Sequence, residues 1–194
     1  MLLKMALGAV LLYAPAVVRA SLITNGGFET GDFTGWTVST NNALFVTCGD
    51  AFHPARTGNC DSRFYSSIPN SLTQNIITTS SSSYALDFWL EYEIGAFNQS
   101  GTFSVTWRGV TIFSSTDGNS SVLYTHEIFP NLSANSGSTA LIFAGNGVMS
   151  RYLLDDVNLV ANSTVPEPGT FVFIAVCTLI STCLRSSIAR RIQS

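Results

Sequence analysis

Hydrophobic and polar residues alternate along the middle of this chain with a period of two. Tyr84, Leu86, Phe88, Leu90 and Tyr92 fall on one side of the segment 84–93, and Ala85, Asp87, Trp89, Glu91 and Glu93 on the other. That is the pattern of a half-buried strand. Phe103, Val105 and Trp107 repeat it against Thr102, Ser104, Thr106 and Arg108. Arg108-Gly109 then offers a tight turn from Gly101–Arg108 into Val110–Ser114. Short apolar runs bounded by Gly, Ser and Asn predict further strands at 43–47, 61–65, 71–78, 121–129, 138–144 and 151–160. No segment before residue 170 has a helical period. Residues 21–162 therefore predict one all-β domain, a β-sandwich, because half-buried strands must cover a common core.

Both ends of that domain carry distinctive residues. A short β segment, Leu22-Ile23, leads into Asn25-Gly26-Gly27-Phe28-Glu29-Thr30-Gly31 and then Gly35-Trp36. Paired glycines permit a tight turn, and Phe28 and Trp36 are expected to plug one end of the sandwich. The last strand sets Asp155 and Asp156 side by side within an apolar run. Neighbouring strand residues face opposite ways, so one of the two points inward unless the strand bends. The parity of Val157 and Leu159 selects Asp155, which then needs backbone N–H donors or a cation.

The chain termini change the picture from a simple globular domain. Lys4, an apolar stretch from Met5 to Val18 and Val18-Arg19-Ala20 read as a signal peptide over residues 1–20. At the other end, a linker at 163–169 precedes an apolar run at 170–185, and 186–194 is a basic tail. Cations beside an apolar run mark the cytoplasmic side of a membrane. The run's roughly 15 residues reach about 22 Å as a helix, against about 30 Å of hydrocarbon, so it spans only marginally. An N-terminal signal helix and a C-terminal hydrophobic transmembrane helix are thus expected to flank the sandwich.

Charge and cysteine usage fit export. Between residues 21 and 165 stand four arginines, no lysine and eleven acids, a net charge of −7. That sign excludes nucleic acid as a partner. Cys48 and Cys60 are the two cysteines of this segment. In an oxidising space they are expected to form a disulfide, worth on the order of 2–3 kcal/mol in loop entropy. His53 lies between them, but a zinc site would lack a fourth ligand and the usual spacing.

Two resemblances follow. Val165-Pro166-Glu167-Pro168-Gly169, an apolar helix and an Arg-rich end resemble the PEP-CTERM sorting signal of Gram-negative bacteria, also described as an ice-binding-protein C-terminal domain. The resemblance implies export, transient anchoring in the inner membrane through the C-terminal helix, processing by an exosortase at Pro166, Glu167 and Pro168, and delivery to the cell surface or the extracellular space. Asn-Gly-Gly-Phe-Glu-x-Gly…Gly-Trp, Tyr-x-Leu-x-Phe-Trp and Leu-Asp-Asp-Val-x-Leu are similar to galactose-binding-domain-like jelly rolls, among them carbohydrate-binding modules. That likeness implies a jelly-roll sandwich and a structural Ca²⁺ held by Glu29 and Asp155, with Asp156 as the substitute; oxygen ligands suit that ion.

Chemistry narrows the function further. His53 and His126 belong to no recognisable catalytic motif, and nucleotide, metalloprotease and serine-hydrolase signatures are missing. Asp87, Glu91 and Glu93 share a strand face and imitate a glycosidase pair, although a solvated face explains them as well. A sugar has an apolar side and a hydroxyl rim, so Trp89 with Asp87, Glu91 and Arg108 is a candidate glycan platform. The sequence therefore reads as a non-enzymatic, surface-sorted protein of an extracellular polysaccharide or biofilm matrix; the alternatives are a carbohydrate-binding module with an exopolysaccharide partner and, third, a polysaccharide hydrolase. If the tail is a sorting signal, mass spectrometry of surface material will show chains ending near Glu167-Pro168. Recovery of intact Ser194 from the matrix would refute processing.

Overall fold

A computed structural model describes residues 19–39, 44–93, 101–116 and 123–162. The expected signal peptide, linker, transmembrane helix and basic tail fall on 1–18 and 163–194, outside the described residues. Eight strands follow one another: β1 (Thr37–Val38), β2 (Leu44–Cys48), β3 (Cys60–Thr78), β4 (Ser83–Glu93), β5 (Gly101–Trp107), β6 (Val110–Thr116), β7 (Thr125–Ser133) and β8 (Gly137–Asn162).

Neighbouring strands pair antiparallel throughout. One layer runs β1–β3–β8–β5–β6 and the other β2–β3–β8–β4–β7, so β3 and β8 belong to both. Sequence patterning predicts each of these two strands as a separate pair, 61–65 with 71–78 and 138–144 with 151–160. In the structure each pair is one continuous strand that changes layer at an irregularity. The register of β3 shifts between Phe64 and Ser66 and again between Ser66 and Asn70. Pro69 lies in this stretch, and a residue without an N–H cannot extend a ladder, which favours a break there.

Burial follows the alternation read from the sequence. Tyr84, Leu86, Phe88, Leu90 and Tyr92 of β4 face Phe103, Val105 and Trp107 of β5 across a shared core. Aromatic contacts join the two layers: Phe88 meets Phe143 at 5.2 Å, Phe64 meets Phe103 at 5.2 Å, and Tyr84 meets Trp107 at 6.0 Å between ring centroids. Such aromatic pairs add about 0.5–1.5 kcal/mol beyond the area they bury. Arg108 and Gly109 both have positive φ, 56° and 75°, as a two-residue type I′ hairpin requires.

Two expected elements differ. The strand expected at 121–129 is displaced to Thr125–Ser133. Leu22-Ile23 forms no ladder strand; its backbone reaches the end of β8 through Leu22 N–H to Leu159 O at 2.7 Å, and Val157 N–H returns to Gly26 O at 3.0 Å. A Cβ on Gly26 would lie 2.0 Å from Val157 O, so only glycine fits that approach. Phe28 and Trp36 do plug the sandwich end: their rings stack at 6.0 Å, Trp36 touches Phe143, and its Nε1–H donates to Asn25 O.

Candidate functional site

The site is built on the outer face of the layer holding β4, at a bulge in β8. Asp87 pairs with Asn158 but Trp89 pairs with Asp155, so β8 spends one extra residue there. Asp156 carries the distortion, with φ 50°. The bulge reverses parity: Tyr152 and Leu154 face the core before it, Val157 and Leu159 after it. Asp155 therefore shares the outer face with Trp89 and does not point into the core, where strand parity without the bulge would place it. It is buried all the same, 0% exposed.

What buries it is the loop 49–59, folded back over the strands. Cys48 and Cys60, partners in the β2–β3 ladder, close this loop with a disulfide. Asp155 Oδ2 accepts the N–H groups of Arg56 and Thr57 at 2.9 and 3.2 Å, and Oδ1 accepts that of Asp156 at 2.7 Å. Glu29 Oε1 accepts those of Asn59 and Cys60, both at 2.9 Å. Gly58, at φ +63°, lets them approach; a Cβ there would lie 2.4 Å from Glu29 Oε1. Asp156 Oδ1 takes the Thr57 hydroxyl at 2.6 Å.

A second clamp sits under the same loop. Arg63, 2% exposed, donates to Asp61 Oδ1 at 2.6 Å, to Asp50 Oδ2 at 2.7 Å and to His53 O at 2.8 Å. Burial works against its charge, and Asp61 and Asp50 outweigh that. The Arg63 hydrogen bond in turn holds the Asp50 carboxyl below the usual range. His53 reaches Glu91 at 3.9 Å and Glu93 at 3.3 Å, and Glu93 also pairs with Arg151. Glu91 is only 6% exposed, and burial pushes its carboxyl up.

Trp89 stands beside this loop. His126 of β7 stacks on its ring at 4.5 Å, with 1° between planes, and the Arg56 guanidinium lies 4.0 Å from its centroid. β7 and β8 flank β4 on opposite sides, and Arg56 belongs to the loop lying over Asp155 of β8, so the indole is held between the two. Asp87 accepts from His126 at 3.1 Å and from Asn158 at 2.9 Å. Arg108 is not part of this group. It turns the β5–β6 hairpin and donates to Ser133, which pairs with Ser83, six positions or about 20 Å along β4 from Trp89. Arg56 occupies the place expected of Arg108.

Between the loop and the start of β7 lies a cleft of ≈ 650 Å³, lined by Phe52, His53, Arg56, Trp89, Glu91 and Tyr124 among others. Phe52 is 90% exposed on its rim. Tyr124 donates to Asp61 Oδ2 at 3.2 Å, and burial, aided by the Asp61 charge, pushes its hydroxyl up, so it stays protonated. Phe52, Arg56 and Tyr124 carry no sequence signal as site residues, because no period or motif reveals how a loop will lie.

Glu29, Asp155 and Asp156 do converge: a Cβ on Gly27 would sit 3.7–3.8 Å from atoms of all three. Yet Glu29 and Asp155 turn oxygens to amide hydrogens, and among the described residues no three His, Cys, Asp or Glu side chains are disposed to hold one metal ion. As arranged, the donor set suits amides better than Ca²⁺.

No protein-family model matches the chain, and no curated protein matches it. Solved structures do. The carbohydrate-binding module TmCBM61, solved with β-1,4-galactotriose, superposes with a TM-score of 0.58 at 21% identity, over 72% of this chain and 97% of that one. A family 16 carbohydrate-binding module superposes at 0.52 and 14%, over 72% and 99%. The Stig cyclase Fisc from Fischerella sp. TAU, solved with an indole-containing compound, superposes at 0.54 and 14%, over 76% and 100%. The likeness defines the class: a jelly-roll β-sandwich, a fold used by sugar-binding modules and also by an enzyme.

Asp155 makes the loop's attachment sensitive to pH. Burial, then the neighbouring Asp156 charge, raise its pKa from 3.8 to about 7 against its three N–H donors. The folded protein thus retains a proton that the unfolded chain releases above about pH 4, and stability is lost as pH rises through 7. Tm measured by calorimetry will rise between about pH 8 and pH 5.5, and Asp155→Asn will flatten that part of the profile. For calcium, if the amide donors suffice, EDTA will leave the Tm of the purified protein unchanged; a fall in Tm restored by CaCl₂ would place an ion at the Glu29–Asp155 corner.

Proposed function

We propose that this protein is a non-catalytic glycan-binding module whose ligand sits in the cleft between the disulfide-closed loop and the start of β7. The observation that carries this reading is Phe52. It is a large aromatic ring, 90% exposed on the rim of a cleft whose floor supplies a carboxylate, an imidazole and a phenol. A sugar needs that combination, an apolar plane for its C–H face and polar groups for its hydroxyls. The fold shared with carbohydrate-binding modules supports it. Trp89 contributes through its edge and through Arg56, since His126 and Arg56 cover its ring.

Among the described residues, the pairing of the strand-face carboxylates beside the cleft favours binding over hydrolysis. Glu93 is paired with Arg151 and His53, Asp87 with His126 and Asn158, and Glu91 with His53. A retaining or inverting glycosidase needs two carboxyl groups facing one bond across open space. Delivery to a polysaccharide-rich surface is a separate proposal, supported by Pro166, Glu167 and Pro168, the apolar run after them and the Arg-rich end.

The test is a glycan array followed by calorimetry on Phe52→Ala and Trp89→Ala. Phe52→Ala will weaken binding about tenfold with Tm unchanged, because the ring makes its contacts with ligand alone. Trp89→Ala will lower both affinity and Tm, since it also unseats His126 and Arg56. Undiminished binding by Phe52→Ala would remove the ligand from this cleft, and release of reducing sugar would make the protein an enzyme.

A further inference from the structure

Trp89 is a wall shared by two hollows. On the loop side it closes the ≈ 650 Å³ cleft, where Phe52, Pro54, Ala55 and Leu123 supply apolar surface. On the other side it lines a second hollow of ≈ 390 Å³ with Ser21, Gly27, Asp87, Asp156 and Asn158. The two differ in chemistry. The first offers rings and aliphatic groups over the buried Glu91, whereas the second is mostly polar.

The geometry points to an oligosaccharide, specifically a linear non-anionic chain that crosses the edge of Trp89 and places sugar units in both hollows. This rests on the glycan-binding reading above and specifies its ligand. Asp87 and Glu91, one in each hollow, stand about 13 Å apart along β4, further than one pyranose ring extends. Either volume lies within the range of small-molecule sites, and neither alone accounts for the length of the face.

The polar groups of the second hollow are already oriented. Asn158 Nδ2 donates to Asp87 Oδ1 at 2.9 Å, and Asp87 Oδ2 is bound to His126 at 3.1 Å. That fixes the Asn158 amide with its oxygen and its second N–H left for a ligand, one acceptor and one donor, as a pair of sugar hydroxyls requires. Charge sets the other half of the specificity. Asp87, Asp156 and Glu91 line the path, and Arg56 is its one arginine or lysine among the described residues. A polyuronate would set its own carboxylates against these three and be repelled.

The experiment is a length series read by calorimetry on the full protein. The probes are β-1,4-linked oligomers of galactose, xylose and glucose from one to six units, with oligogalacturonate as the charged comparison. Affinity is expected to rise at least about tenfold between one and four units of the preferred sugar. Asn158→Ala is expected to abolish that rise while leaving the single unit bound within about twofold, and oligogalacturonate to show no heat. Equal affinity at every length, or a tetrasaccharide indifferent to Asn158→Ala, would overturn the two-hollow path and leave the single cleft standing. Tight oligogalacturonate binding would overturn the charge argument, and binding of none of the neutral probes would overturn the glycan reading itself.

Discussion

The site depends on a covering of charge. The outer face of one layer carries Asp61, Arg63, Glu91 and Asp155, all buried, where a two-layer sandwich would normally carry water. They are dry because the loop 49–59 lies over them, and the loop lies there because they hold it. Arg63 takes Asp50 and the His53 carbonyl, Asp155 takes two loop amides, and Glu29 takes two more. Removing one partner of such an arrangement leaves a buried charge unpaired, which typically costs about 3–5 kcal/mol. The disulfide limits the conformations open to the loop when it is not docked, and the charges select one of them.

This clamp turns a flat strand face into a cleft. Without the loop, Trp89 and Glu91 would stand on an open sheet with His126 beside them. With it, Phe52 is lifted to a rim and Arg56 is carried onto the indole. Glu29 and Asp155 take amide hydrogens of the loop in a geometry that positions the wall of the cleft. Two carboxyl oxygens are needed for that, because Asp155 accepts three N–H groups, two on Oδ2 and one on Oδ1.

Much of this architecture was written in the sequence, for a physical reason. Alternation at 84–92 and 103–107 fixes which side of a strand is buried, since a slip by one residue would expose Phe88 and Trp107. Phe28 and Trp36 were legible as an end plug because paired glycines and aromatics leave few other arrangements. Adjacent Asp155 and Asp156 announced a conflict in the strand, and the bulge resolves it. The side to which Asp155 turns was not legible, because the bulge itself reverses the parity on which the argument relied.

The remaining gap lies in the loop, and it follows from distance along the chain. Arg56 and Thr57 meet Asp155 across 99 and 98 positions, so nothing local to 49–59 says which strand they will cover. Strand parity puts Arg108 on the polar side of its segment, as it does Trp89. Parity says which face a side chain occupies and nothing about how far along the strand it sits. An aromatic residue on an outer strand face is read as a platform when its neighbours are unknown, yet here an imidazole and a guanidinium fill the space beside the ring. Exposed aromatic surface is instead found at Phe52 on the cleft rim, in the stretch with the weakest pattern. Binding chemistry collects on loops held by a rigid frame, so the frame is what a sequence shows most readily, and the surface that meets a ligand emerges only when the contacts holding the loop are known.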